Sequence, residues 1–111
     1  MEIRWSGEGR TLTIALTGEL DHHAAKEVLH TLDALMEERL PLECSLDLAG
    51  LSFMDSSGIA VILGLYRRLY ELSGTFHVEH VPAQAARVLE AAGIDRIIEI
   101  RKDATYEKAA Q

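Results

Sequence analysis

Residues 51–58 read Leu51-Ser52-Phe53-Met54-Asp55-Ser56-Ser57-Gly58, and they connect a predicted strand at residues 44–48 to a predicted helix at residues 57–72. The start of a helix presents unpaired N–H groups and partial positive charge, which favour an anion such as a phosphate. In open α/β sheets, binding sites also gather outside the carboxyl ends of the strands. Ser56 is therefore the first residue whose role has to be explained.

The remaining sequence alternates strands with helices. Residues 11–17 place Leu12, Ile14 and Leu16 on one face at period two, and residues 3–5 precede them as a short hairpin partner at the sheet edge. Further strands are predicted at residues 44–48, 75–79 and 97–100, and helices at residues 22–40, 57–72, 83–92 and 104–110. We predict one α/β domain over residues 1–111, with about five mostly parallel strands, an antiparallel N-terminal edge strand and about four helices.

Two polar turns follow predicted strands. Asp21 is a good N-cap for a helix that begins at His22, and Asp55 opens the second turn. Because both turns come after strands of a parallel sheet, they are expected at the same end of that sheet. If the two strands are neighbours, the turns form one surface.

Composition narrows the classes of function. The chain has a net charge of −7 and a pI near 5.1, which argue against a nucleic acid and an anionic membrane as partners. The N-terminus lacks the pattern of a signal peptide, and the longest apolar stretch is far below the ~20 residues that span a bilayer. We therefore expect a cytoplasmic protein. Cys44, the single cysteine, is expected to be buried and inert.

Catalysis by Ser56 is weakly supported. A hydrolase elbow reads Gly-x-Ser-x-Gly, whereas Met54 and Gly58 stand at the two glycine positions, so half of the pattern is present. His22 or His23 could act as a base, but their spacing is not diagnostic. These adjacent histidines also lack the i, i+4 spacing of a zinc site. We therefore predict no enzyme, no cofactor and no metal.

A structural role is the simpler interpretation for Ser57, which we predict to cap the helix together with its neighbours. Ser56 fits a phosphorylation site better than a nucleophile. A phosphate would add about −1.5 to −2 charges beside Asp55 and the apolar first turn of the helix. It could switch off a docked partner without altering the fold. Gly64, inside the helix, is expected to mark close packing against the sheet.

Two segments together resemble the anti-sigma factor antagonists of the STAS domain family, and most of all the anti-sigma F factor antagonists of sporulation. They are residues 16–23, Leu16-Thr17-Gly18-Glu19-Leu20-Asp21-His22-His23, and residues 51–64. The resemblance covers nearly the whole chain in the order and spacing of its elements. It departs at Ala60, where the family commonly has glycine.

The resemblance implies a mechanism. The unphosphorylated antagonist binds an anti-sigma factor that is also an ATP-binding serine kinase, and displaces the sigma factor. The kinase then phosphorylates Ser56, and a PP2C-type phosphatase restores the binding form. The implied partner-binding residues are Asp21, His22, His23, Met54, Asp55, Ser56, Ser57, Gly58 and Ile59. Gly58 would allow the kinase to approach the turn closely. Two alternatives stay open: a general stress-response antagonist, and a scaffold or transporter-associated STAS domain that does not switch.

Overall fold

The computed structural model describes residues 1–102, which form a five-stranded sheet in the order β1-β2-β3-β4-β5. Strand β1 is antiparallel to β2, and the other neighbouring strands are parallel. The elements are β1 (Glu2–Glu8), β2 (Thr11–Leu20), α1 (His22–Arg39), β3 (Glu43–Met54), α2 (Ser57–Glu71), β4 (Thr75–Val81), α3 (Ala83–Ala91), a 3-10 turn (Ile94–Arg96) and β5 (Glu99–Lys102). The predicted sheet is confirmed. Residues 1–102 contain three α-helices, and the fourth predicted helix, residues 104–110, lies outside the described residues.

The core lies between one face of the sheet and the helices. Leu12, Ile14 and Leu16 of β2 are buried on this face, as their period-two spacing predicts. Helix α2 buries Val61 and Ile62 against the same core, so most of its apolar excess is used inside the molecule. None of the helices within residues 1–102 is long and apolar enough to cross a membrane.

Strand β3 is longer than its apolar pattern indicates. The predicted strand ends at residue 48, but pairing with β2 continues through two register shifts to the pair Leu20↔Met54. Residues 51–54, expected in a turn, are therefore strand. Strand β5 begins at Glu99 rather than at residue 97, because Ile97 donates its N–H to the carbonyl of Ile94 (3.0 Å) in the 3-10 turn, and Ile98 donates to the same carbonyl (2.9 Å).

Close packing explains two glycines, and for Gly64 the packing partner differs from the one predicted. Ser73, not Gly74, takes the left-handed conformation after α2 (φ 59°). Gly74 instead lies so close to the loop before β3 that a Cβ would stand 2.8 Å from the carbonyl oxygen of Leu42. A Cβ on Gly64 would meet Leu29 of α1 at 3.4 Å, so this glycine faces the neighbouring helix and not the sheet.

Cys44 is fully buried in β3, as expected. Burial raises the pKa of its thiol to about 12, because the surrounding apolar side chains disfavour the thiolate. The thiolate is the reactive form of cysteine. Cys44 is therefore an inert core residue.

Candidate functional site

The two polar turns meet at one end of the sheet. They follow β2 and β3, which are neighbouring parallel strands, so both turns leave the sheet at its carboxyl end. The N–H of Asp55 donates to the carbonyl of Leu20 at 3.3 Å and joins the turns directly. The predicted common surface is therefore confirmed.

Asp21 organises the first turn. Its Oδ1 accepts the N–H groups of His23 and Ala24, each at 3.0 Å, which caps α1 as predicted. The N–H of Ala24 contributes most to lowering the pKa of the Asp21 carboxyl, and His23 and His22 lower it further. His22 and His23 are exposed, with ring centroids 4.0 Å apart. The carboxylate is used for capping, and the two imidazoles are exposed to solvent.

Asp55 organises the second turn in the same way. Its Oδ1 accepts the N–H of Ser57 at 2.8 Å, and its carbonyl accepts the N–H of Gly58 at 3.0 Å. The prediction that Ser57 is the N-cap is wrong, because Ser57 is already helical and Ser56 occupies the cap position. The bond from Asp55 supplies the capping interaction one residue earlier than a serine at the cap would.

Ser56 is exposed at the centre of this turn. Its backbone angles are helical (φ −62°, ψ −18°), and its hydroxyl caps none of the helix N–H groups among residues 1–102. A serine at an N-cap normally has an extended backbone and a side chain that folds back onto the helix. Ser56 does neither, so its Oγ is available to other molecules.

Two of the predicted partner-binding residues lie inside the molecule. Met54 is 0% exposed, and Gly58 is buried against it. A Cβ on Gly58 would stand 2.5 Å from Cγ of Met54 and 3.2 Å from Cδ2 of Leu20. Internal packing thus requires glycine here, which is a different reason from the approach of a kinase. Ile59 is half-buried on the first turn of α2 and packs against the core.

Two residues of this region were missed by sequence reasoning. Phe53 is 41% exposed beside the turn, although it is large and apolar. The period-two pattern could have found it, because burial of Met54 places Phe53 on the opposite face. Gln84 of α3 hydrogen-bonds the backbone of Met54. No sequence signal marks Gln84 beyond its polarity among the alanines of a helix start.

The structure assembles neither a hydrolase triad nor a metal site from its described part. No hydrogen bond within residues 1–102 joins His22 or His23 to Ser56, and the carboxylate of Asp21 bonds backbone N–H groups only. No group of three or more His, Cys, Asp or Glu side chains in the same residues is arranged to hold a metal ion. The site offers an exposed hydroxyl, two imidazoles and an apolar ring.

Comparisons with known proteins agree with this fold. A family profile described as "Mlab, STAS domain" matches residues 3–100. The anti-sigma F factor antagonist of Paenibacillus polymyxa is 34% identical over 100 residues, covering 90% of this chain and 86% of the relative. The anti-sigma-B factor antagonist of Bacillus subtilis is 26% identical over 89 residues, which is 80% of each chain.

A solved structure shares the fold at lower identity. The anti-sigma factor antagonist SpoIIAA in its unphosphorylated form superposes with a TM-score of 0.78 at 23% identity, covering 98% of this chain and 96% of that one. The chain belongs to the STAS domain family. Within that family, it is one of the anti-sigma factor antagonists.

Proposed function

We propose that this chain antagonises an anti-sigma factor and that phosphorylation of Ser56 switches it off. The unphosphorylated form binds an anti-sigma factor that is also an ATP-binding serine kinase, and releases the sigma factor. The kinase phosphorylates Ser56, and a PP2C-type phosphatase removes the phosphate. The observation that carries this proposal is the exposed hydroxyl of Ser56 at the junction of the two turns. This hydroxyl caps none of the helix N–H groups among residues 1–102.

Partner contact is assigned to what we call the switch surface, which consists of Asp21, His22, His23, Phe53, Asp55, Ser56, Ser57 and Ile59. Phe53 supplies an exposed apolar contact. Met54 and Gly58 act through packing, because they shape the turn from within. A shallow depression of about 410 Å³ adjoins this surface, and its wall includes Glu19, Asp21 and Glu27. The carboxylates of Glu19 and Glu27 suit a basic side chain of the partner, whereas that of Asp21 is occupied in capping α1.

A phosphate on Ser56 would lie in solvent and would leave the fold of the free domain unchanged. The N–H groups of Ser57 and Gly58 already bond Asp55, so they are not available to a phosphate. The added charge of about −1.5 to −2 stays in solvent, where the positive end of the α2 dipole tolerates it. The free domain therefore loses little stability on phosphorylation.

When a partner is docked, the same phosphate becomes strongly unfavourable. Burying the phosphate next to the carboxylate of Asp55 and the ring of Phe53 would desolvate a dianion beside a like charge and an apolar group. Such burial costs several kcal/mol, and each 1.4 kcal/mol changes affinity tenfold. One phosphate can thus release the partner while the chain stays folded.

In this proposal the chain is the substrate of the kinase, and ATP belongs to the partner. Because a sigma factor works with RNA polymerase, we place the switch in the cytoplasm. The greater identity to an anti-sigma F than to an anti-sigma-B factor antagonist, 34% against 26%, supports the sporulation branch. A general stress-response antagonist is the second candidate. A scaffold or transporter-associated domain is the third, and it would not need the exposed Ser56.

Affinity purification tests the proposal. Tagged wild-type chain, Ser56→Ala and Ser56→Asp are expressed in the native host, and bound proteins are identified by mass spectrometry. We expect an ATP-binding anti-sigma kinase with Ser56→Ala, and much less of it with Ser56→Asp. Recovery of transporter subunits with all three baits, and no kinase, would contradict the proposal.

A further inference from the structure

Strand β3 extends beyond the last residue at which it pairs with its neighbour β4. Its pairing with β4 ends at Asp47↔Glu79, whereas its pairing with β2 continues to Met54. His80 of β4, which follows the last paired residue, has a left-handed backbone (φ 53°). Within residues 1–102, the last residues of β3, which lead directly into the Ser56 turn, therefore lack a strand on one side.

Gln84 supplies the missing hydrogen bonds at the end of this strand. Its Oε1 accepts the N–H of Met54 at 2.9 Å, and its Nε2 donates to the carbonyl of Met54 at 2.8 Å. One side-chain amide thus repeats the pair of bonds that a neighbouring backbone would make. Both bonds are partly buried, so water is a poor substitute for them.

The turn is consequently held from two sides. Gln84 holds Met54 from the side of α3, and the carbonyl of Leu20 holds the next residue, Asp55, from the side of β2. Ser56 follows immediately. Phosphoryl transfer requires an acceptor oxygen within about 3–3.5 Å of the phosphorus and in line with the leaving group.

We propose that Gln84 is a positioning residue for the phosphorylation of Ser56. It keeps the end of β3 in strand geometry, so that Oγ of Ser56 meets the kinase in a preformed turn. The acceptor oxygen is then already aligned for in-line attack in the bound complex. This inference rests on the proposed function, because it concerns the same acceptor serine.

Hydrogen exchange tests the structural half of the proposal. Gln84→Met keeps the length and removes both hydrogen bonds. Arg87→Met, at an exposed position of the same helix, is the matched control. In Gln84→Met we expect the amide of Met54 to exchange at least about tenfold faster, with unchanged exchange at Leu46 in the core. Equal protection of Met54 in both variants would overturn the proposal.

Steady-state phosphorylation by the partner kinase tests the functional half. A misplaced acceptor lowers kcat, so we expect Gln84→Met to lose about tenfold in kcat with KM within about threefold of wild type. A merely destabilised substrate would instead raise KM by reducing the folded fraction. Unchanged kcat with Met54 exposed to exchange would overturn the positioning role and leave the proposed function intact.

A second variant and an internal control complete the design. Gln84→Glu retains an acceptor for the N–H of Met54 but has no donor for its carbonyl, and it serves if Gln84→Met does not fold. Failure of the kinase to phosphorylate even the wild type would refute the proposed function itself. The two failures are therefore distinguishable.

Discussion

The N–H of Asp55 donates to the carbonyl oxygen of Leu20 across 3.3 Å. This bond joins the turn that carries Ser56 to the turn that starts α1. The turn of Ser56 and the turn of His22 and His23 therefore adjoin, although more than thirty residues of sequence separate them. The switch surface is a product of β2 and β3 being neighbours, and neither turn forms it alone.

Removing the Ser56 hydroxyl should abolish phosphorylation and leave the stability of the fold nearly unchanged. Because that hydroxyl caps no helix N–H within residues 1–102, Ser56→Ala should change the free energy of unfolding by no more than about 0.5 kcal/mol. It should abolish phosphorylation, whereas Ser57→Ala should leave the acceptor intact. Urea unfolding and phosphate incorporation measure the two effects. A phosphorylated Ser56→Ala variant would show that another residue is the acceptor.

The position of a negative charge should decide whether the kinase binds. Ser56→Asp adds a carboxylate to the switch surface and should weaken binding at least about tenfold. Ser73→Asp adds the same charge at the other end of α2, roughly 22 Å away, and the exposed Ser73 has a left-handed backbone that Asp accepts. It should bind like wild type in calorimetric titration. Equal weakening by both variants would mean that net charge, not location, controls affinity.

Replacing each of two glycines of α2 with alanine should change the free energy of unfolding in opposite directions. Gly58→Ala places a methyl 2.5 Å from Cγ of the buried Met54, so we expect a loss of about 1–3 kcal/mol from overpacking. Among the described residues, the methyl of Gly64→Ala meets only Leu29, at 3.4 Å, so this variant should gain up to about 1 kcal/mol from helix propensity. Chemical denaturation compares them. If Gly58→Ala were as stable as Gly64→Ala, Met54 would not be tightly held beneath the turn.

Acid should weaken the cap of α1. The folded pKa of Asp21 lies below its ordinary value of 3.8, chiefly because its carboxylate accepts the N–H of Ala24. Its ionised form therefore contributes stability that is complete above the unfolded pKa and is lost as pH falls through the folded pKa. Asp21→Asn retains an oxygen for the cap but does not titrate. The Tm difference between wild type and Asp21→Asn should shrink as pH falls from about 6 to about 3, and a constant difference would contradict this account.

Local patterns were sufficient to predict the sheet and both turns. Alternation at Leu12, Ile14 and Leu16 marked β2, and the capping role of Asp21 followed from its residue type and place. Parallel strands placed both turns at one end of the sheet, and the structure supplied the adjacency of β2 and β3 that brings the turns together. These features depend on the periodic spacing of apolar side chains and on hydrogen bonds between residues that are close in sequence. Both can be predicted from residue type and position.

Other features depend on tertiary contacts. The length of β3 is set by its pairing with β2, which overrides the weak strand preference around Gly50 and Ser52. Gly58 is explained by Met54 and Leu20, which are adjacent only after folding. Gln84 lies 30 residues from the backbone it bonds. No local pattern could have predicted that contact.

The most direct test of the account is to map the phosphate. The chain is recovered from its native host before and after treatment with a PP2C-type phosphatase, and its peptides are sequenced by mass spectrometry. The account predicts one phosphate on Ser56, none on Ser57, and its loss on treatment. A fully unmodified Ser56 under conditions where the sigma factor is held inactive would contradict the central claim.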